Sequence, residues 1–379
     1  MEFLLVGLSA TTWQQLVMYG IGAMLIYLAI SKKLEPALLL PMGFGAILVN
    51  IPLSGALNTS MVGIGEVAGI LEWLFEVGIE ASEAMPLLLF IGIGAMIDFG
   101  PLLSNPKLVL FGAAAQFGIF ATITIAALLG FPLKDAAAIG IIGAADGPTS
   151  ILVSQVLKSE YVGAIAVAAY SYMALVPIIQ PFAIKMVTTK KERAIRMPYN
   201  PKAVSRMARL LFPIIVTMFA GYVAPASVSL VGLLMFGNLI RESGVLGSLS
   251  ESAQHVLANL ITLLLGITIS VSMQADRFVR YETLLIMCLG LLAFVFDSIA
   301  GVLFAKMLNL FSKQKVNPMV GAAGISAFPM SARVIQRMGQ EADPQNHLLM
   351  HAVGANVAGQ IASVIAGGVI LGLVPGMLG

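Results

Sequence analysis

Charge is what this sequence has least of. Only 11% of its 379 residues are charged and 59% are apolar, whereas a soluble domain carries roughly a quarter charged. A chain so composed cannot cover a globular surface with polar side chains, which excludes a soluble enzyme. Cysteine is nearly missing: the single Cys288 sits in an apolar run, which excludes disulfide scaffolds, cysteine-rich zinc sites and iron–sulfur clusters. Of the three histidines, His347 and His351 are spaced i, i+4. The intervening Leu348-Leu349-Met350 lacks the glutamate of a zinc hydrolase and no third ligand is evident, so no transition-metal site is expected. The glycine-rich runs lack Gly-Lys-Ser/Thr, so neither nucleotide nor nucleic acid is implied. The opening Met1-Glu2 lacks a basic segment, and no cleavable signal peptide is expected.

Long apolar runs are what is there. They recur at 16–31, 36–52, 85–97, 107–130, 135–157, 162–187, 207–224, 228–240, 256–275, 283–310, 316–336 and 347–378. A bilayer span needs about 20 such residues, so the chain reads as an all-α polytopic membrane protein whose first partner is the lipid bilayer. The stretch 53–84 is more polar and amphipathic, and is expected at the interface. The long polar linker from Lys185 to Arg209 carries Lys190, Lys191, Arg193, Arg196, Lys202 and Arg206 against Glu192. By the positive-inside rule it faces the cytoplasm, placing the protein in the cytoplasmic (inner) membrane. A polybasic lipid-binding patch would lie on the same side.

The chain echoes itself across this linker. Pro36-Ala37-Leu38 with Gly43-Phe44-Gly45 resembles Pro225-Ala226-Ser227 with Met235-Phe236-Gly237. Gly92-Ile93-Gly94 before Asp98 resembles Gly266-Ile267-Thr268 before Asp276. Ile142-Gly143-Ala144-Ala145 resembles Val320-Gly321-Ala322-Ala323. Three matches in order, at offsets of 189, 174 and 178 residues, indicate a duplicated unit. The fifth segment of each unit is interrupted, by Asp146-Gly147-Pro148 in one and by Asn317-Pro318, Gly321, Gly324 and Pro329 in the other. If both fold as re-entrant hairpins, near 135–157 and 316–336, each unit has five crossings and the repeats are inverted. The expected division is 1–187, a basic linker 188–206, and 207–379. Threaded this way, every Lys and Arg except Lys134, Lys158, Arg277 and Arg280 falls on the cytoplasmic side, while the outer 53–84 stretch holds five glutamates and no basic residue. Paired broken segments at matching positions of two halves point to a transport site.

The residues able to carry chemistry cluster there. Asp146, a carboxylate at membrane depth, costs about 2.5–3.5 kcal/mol even on the lenient insertion scale. With freed carbonyls and the Thr149 and Ser150 hydroxyls it suits Na⁺ or a proton; a structural role as helix N-cap before Pro148 is compatible with that function. Asn317 and Ser326 offer neutral oxygens from the second break, with Gly321 and its neighbours allowing close backbone approach. Arg333 follows Ser326 by seven residues, two helical turns on one side, and suits an anionic group or a snorkelling role. Tyr172 is central to its run and suits a proton or hydrogen-bond donor. Asp297 suits a second ion, a proton or a structural hydrogen bond, and Asn356 a ligand or interhelical contact.

At these residues the chain resembles a known family, the β subunits of sodium-pumping, biotin-dependent decarboxylases acting on oxaloacetate, methylmalonyl-CoA, glutaconyl-CoA or malonate. Gly143-Ala-Ala-Asp146-Gly-Pro-Thr149, the Tyr172 segment, Asn317 through Arg333, Asp343 through Gln360 and Gly237 through Gly244 carry the likeness, which covers nearly the whole chain. Ala144, where many relatives carry glycine, and Ser150 depart from it without removing a proposed ligand. The resemblance implies a membrane subunit that decarboxylates carboxybiotin, consumes a proton from outside and drives Na⁺ outward by an elevator-like motion. It implies Na⁺ at Asp146, Asn317 and Ser326, with Gly321 and Thr149 beside them, and the proton and the carboxybiotin carboxylate at Tyr172 and Arg333. It implies a carboxyltransferase and biotin-carrier subunit, a small membrane anchor subunit and a homo-oligomer of this chain. Biotin must sit on the partner, because Ile184-Lys185-Met186, the nearest approach to a biotinylation signal, lies at a membrane boundary. A stand-alone Na⁺/H⁺ antiporter or Na⁺–organic anion symporter is the alternative the residues also allow.

Overall fold

The computed structural model describes all residues except 1–6, 8, 34, 62–64, 82, 199–203, 313 and 379; Lys202 of the basic linker therefore lies outside the described residues. Helix α1 (Trp13–Ser31) starts at a capping box in which Thr12 and Gln15 satisfy each other's backbone N–H. It pairs with α2 (Pro36–Asn50), and two short antiparallel strands follow, β1 (Asn58–Met61) and β2 (Gly65–Ala68). Next come α3 (Ile70–Phe75), prolonged by a π-helical turn Glu76–Glu80, and α4 (Ala84–Met96). α5 (Pro106–Leu128) leads to the first broken segment, α6 (Leu133–Gly140) and α7 (Gly147–Val156), and α8 (Val162–Val187) reaches the linker. Beyond it lie α9 (Arg206–Val223), α10 (Val228–Ser243), α11 (Gly247–Met273) and α12 (Tyr281–Phe311). The second broken segment, α13 (Met319–Ala322) and α14 (Met330–Ala342), precedes α15 (Leu349–Leu378).

Among the described residues six helices are long and apolar enough to cross a bilayer, or up to eight if each of two bent pairs is one span. The chain is thus an all-α, multi-pass membrane protein. The 53–84 stretch is more structured than its polarity suggests. Glu72, Glu76 and Glu80, four residues apart, hide a helical segment that meets α4 at a 65° bend. Helix α8 bends by 72° between Met173 and Leu175, ahead of Pro177 and Pro181, which remove ladder hydrogen bonds.

Packing joins the two halves by exchange. α1 lies on α2 and α9 on α10; across the halves, α2 packs on α11 and α10 on α4, while α8 runs along α12 and α15 along α5. The crossings are close because each helix contributes a glycine. A side chain at Gly94 would overlap the Leu234 carbonyl, and one at Gly237 the Ile91 carbonyl. Small residues take this place in membrane helices because dispersion and backbone approach, not water exclusion, hold them together. α9 is the least buried span (11%) and α15 the most (67%), so α9 lies at the periphery and α15 in the middle, between the two broken segments.

Candidate functional site

In the first break, α6 tightens into a 3₁₀ turn, Ile141–Ala144, and Ala145 then turns the chain in the left-handed region at φ 53°, ψ 43°. A non-glycine residue there costs about 1–2 kcal/mol, and such strain accumulates at functional sites. Asp146 follows as the N-cap of α7, with Pro148 in the first turn. Its Oδ1 accepts from the Thr149 N–H at 3.3 Å. Its Oδ2 accepts from Thr149 Oγ1 at 2.7 Å, Ser363 Oγ at 2.9 Å and Gln360 Nε2 at 3.5 Å. Asp146 is only 3% exposed, and Thr149, Gln360 and Ser363 are buried with it. A buried carboxylate surrounded by hydroxyl and amide groups is the oxygen-rich set that a small hard cation takes up.

The second break touches the first. The Ser326 N–H donates to the Ala144 carbonyl at 2.9 Å, and Ser326 Oγ donates to the Gly359 carbonyl at 3.1 Å, one residue before Gln360. Asn356 Nδ2 donates to the Ile325 carbonyl at 2.5 Å, while its Oδ1, buried, has no partner. Asp146, Thr149, Ser326 and Asn356 are thus brought to the junction of the two breaks and α15.

Other candidates lie elsewhere. Asn317 is committed to the linker: its Nδ2 donates to the Arg193 and Ile195 carbonyls at 2.8 Å and its Oδ1 accepts from the Met319 N–H at 3.1 Å. None of its hydrogen bonds reaches Asp146. Gly321 lies against Gly301 of α12, where a side chain on either would overlap the other's carbonyl. Arg333 does not share a helical face with Ser326, because Ser326 precedes α14 in irregular backbone; the two-turn spacing has no helix to act through. Arg333 instead lines a crevice of about 330 Å³ with Lys33, Glu35, Pro177 and Arg337. Tyr172 packs its ring near Gly290 and Ile142 and donates its hydroxyl to the Met287 carbonyl of α12. Asp297, fully buried, is bracketed by Gly118 and Gly143, whose lack of Cβ leaves room for its carboxylate, and the backbone N–H groups of Gly118 and Ile119 lie nearest to it. His347 precedes α15 while His351 is inside it, so the pair does not occupy one helix face.

Three residues of the junction carry no role in the sequence reading. Gln360 and Ser363 complete the shell of Asp146, and Asn356, Gln360 and Ser363 stand at i, i+4, i+7 on an otherwise apolar helix. That polar stripe is a periodicity signal visible in the sequence. Tyr170 lies against Gly147, where any side chain would strike its ring, and its buried hydroxyl has no partner. Nothing in the sequence separates it from Tyr172, two residues on, because the choice depends on which way α8 is rotated.

The linker is strapped to the second half. Asn346 Nδ2 joins Asn317 in donating to the Arg193 and Ile195 carbonyls, at 3.1 and 3.2 Å. Lys306 pairs with Glu192 at 2.9 Å. Arg196 grips Asp343 with two nitrogens, at 2.5 and 3.0 Å, and these hydrogen bonds hold the Asp343 carboxyl below its ordinary range.

Known proteins resemble this chain over nearly its whole length. Residues 14–374 match the family model described as the Na⁺-transporting oxaloacetate decarboxylase beta subunit. The chain is similar to the glutaconyl-CoA decarboxylase subunit beta of Acidaminococcus fermentans, 47% identical over 98% of this chain and 96% of that one. It is also similar to the oxaloacetate decarboxylase beta chain of Klebsiella pneumoniae, 45% identical over 94% of both chains. The methylmalonyl-CoA decarboxylase subunit beta of Propionigenium modestum is 46% identical, again over 94% of both. With a buried carboxylate at the meeting point of two broken segments, and likeness over nearly its full length, the chain belongs to the family of Na⁺-transporting decarboxylase beta subunits.

Proposed function

We propose that this chain decarboxylates carboxybiotin presented by a partner subunit and couples that step to Na⁺ export. The observation that carries the reading is Asp146, buried at the junction where Ser326 of the second break meets Ala144 of the first. Na⁺ would be held by Asp146, Thr149 Oγ1 and the oxygens of Ser326, Asn356, Gln360 and Ser363. Desolvation is offset only when several oxygens replace the hydration shell together, and this set supplies them.

The carboxylated ureido ring is an anion, and the crevice at Arg333 suits one: Lys33, Arg333 and Arg337 outnumber Glu35 there. A guanidinium grips a carboxylate with two parallel hydrogen bonds. Decarboxylation breaks the bond between ring nitrogen and carboxyl carbon; CO₂ leaves and the nitrogen takes up one proton. Tyr172 of α8 and Asp297 of α12 are the candidates for passing that proton, Tyr172 near Ile142 and Asp297 against Gly143 of the first break. Asn317 acts in this reading by holding the linker against the second break.

The same reading takes the halves 1–187 and 207–379 as inverted repeats, with the 188–206 linker cytoplasmic and the broken segments moving as an elevator core. The exchange of helices between halves supports it, α2 on α11 matching α10 on α4, and α8 on α12 matching α15 on α5. A biotin-carrying carboxyltransferase, a small membrane anchor and further copies of this chain complete the machine.

The test is decay of free carboxybiotin by the purified chain in liposomes, with and without Na⁺. Na⁺ should stimulate decay and be transported with it, and Asp146→Asn should lose both. Undiminished Na⁺-stimulated decay in that variant would overturn the reading, and Na⁺ flux without carboxybiotin would favour a stand-alone transporter.

A further inference from the structure

A second polar cavity, of about 290 Å³, lies at the far end of α7 from Asp146. Asp146 caps one end of the helix, and Gln155, near its other end, lines the cavity. At 1.5 Å per residue the two are about 14 Å apart along the axis. The walls come from both parts of the fold. Glu160 and Tyr161 belong to the loop before α8, Glu72 and Glu80 to the α3 segment, and Arg277 and Thr283 to the turn before α12 and its start.

Carboxylates dominate it. Glu76, Glu80 and Arg277 are close enough to act on Glu72, and Glu282, Asp135, Glu160 and Arg280 on Tyr161. Lys134 faces Glu160 at 4.0 Å. Glu72, Glu80 and Glu160 thus line the cavity against the single cation Arg277, with Glu76, Glu282, Asp135, Arg280 and Lys134 near these residues, an excess of negative charge. An independent feature points to a ligand. Thr283 is only 5% exposed and lines the cavity, and its Oγ1 has no hydrogen-bond partner. A buried hydroxyl left unpaired is destabilising, and a bound cation would satisfy it.

We propose that this cavity is a second cation site, a low-affinity station for a monovalent cation of the Na⁺ class, held by Glu72, Glu80, Glu160 and Thr283 Oγ1. It rests on the reading that Asp146 binds the transported ion and that this end of α7 faces outward; the station then receives the ion that leaves Asp146. Because the walls come from the α7–α8 loop on one side and α3 on the other, the site changes shape whenever those parts move relative to one another.

The test is ²³Na NMR line broadening of the purified full-length chain in detergent micelles, titrated with NaCl, a readout that needs no turnover. In an Asp146→Asn background saturable broadening should persist. Adding Glu72→Gln with Glu80→Gln should raise its half-saturating concentration about fivefold or more, and Thr283→Val should raise it as well. Lys134→Gln should move it the opposite way, towards tighter binding, which a misfolded variant could not do. Loss of all saturable broadening on Asp146→Asn alone, or indifference to the carboxylate and lysine substitutions, would refute the station. Broadening unaffected by Asp146→Asn but removed by the glutamate pair would instead keep the station and sink the assignment of Asp146.

Discussion

One broken segment lies on each side of the linker, and the two are chemically unlike. The first holds a carboxylate, two hydroxyls hydrogen-bonded to it or its carbonyl, and a strained alanine at the turn. The second has no acidic residue between Asn317 and Arg337; it is fastened by Asn356 to Ile325, by Gln180 to the Ala322 carbonyl and to Ser331, and by Gly321 against Gly301. One break concentrates negative charge in the interior, and the other presents Arg333 to a crevice beside Lys33. On the proposed function the two breaks serve opposite charges, a cation at Asp146 and an anion at Arg333. The lesson is that a broken helix supplies free backbone groups wherever it occurs, while the side chains at the break decide what those groups bind.

That contrast can be broken or sharpened by substitution. The largest effect is expected at its centre: Asp146→Asn should abolish Na⁺-dependent decay of carboxybiotin, because a neutral amide cannot compensate a desolvated cation, whereas Asn317→Ala should leave the Na⁺ requirement of decay intact. A Na⁺ titration of decay rates compares them, and equal losses would restore Asn317 to the ion. Next, Ser363→Ala or Gln360→Ala should weaken apparent Na⁺ affinity by about tenfold or more, since each removes an oxygen from the ion and a hydrogen bond that orients Asp146; unchanged half-saturation would exclude α15 from the site. Packing should then separate the breaks. Gly321→Ala forces a methyl into the Gly301 carbonyl and should destabilise the protein by about 1–3 kcal/mol, read as a lowered unfolding temperature in detergent. The smallest effect concerns the strap on the second half. Asp343 has a lowered folded-state pKa, so its contribution is complete above about pH 4, the unfolded carboxylate value, and disappears as pH falls through the lower folded value. Arg196→Ala should remove that dependence, seen as hydrogen exchange of linker amides that no longer slows as pH is raised from the acid range, after correction for intrinsic rates.

Much of the arrangement is legible in the order of residues, for identifiable reasons. Asp146-Gly147-Pro148 announces both a break and a cap, because proline closes a helix start and aspartate accepts its free N–H groups; the cap is found as expected. The stripe Asn356, Gln360, Ser363 was equally open to inspection, since polar residues at helical spacing in an apolar helix must face protein. Arg333 shows the opposite case. Its seven-residue spacing from Ser326 implies a shared face only if the intervening backbone is helical, and Pro329 stands between them outside any helix.

Composition alone determined that this chain lives in a bilayer, and local chemistry determined where its helices break, because both follow from hydration and backbone sterics acting within a few residues. The identity of the groups around Asp146 was decided by the tertiary structure. Ser363 and Gln360 are more than two hundred residues from it in the chain, and only the packing of α15 between the two breaks carries them there. The turn of α8 that brings Tyr170 rather than Tyr172 to Gly147 was settled the same way, since rotation about a helix axis is fixed by neighbours and leaves no trace in the helix's own sequence.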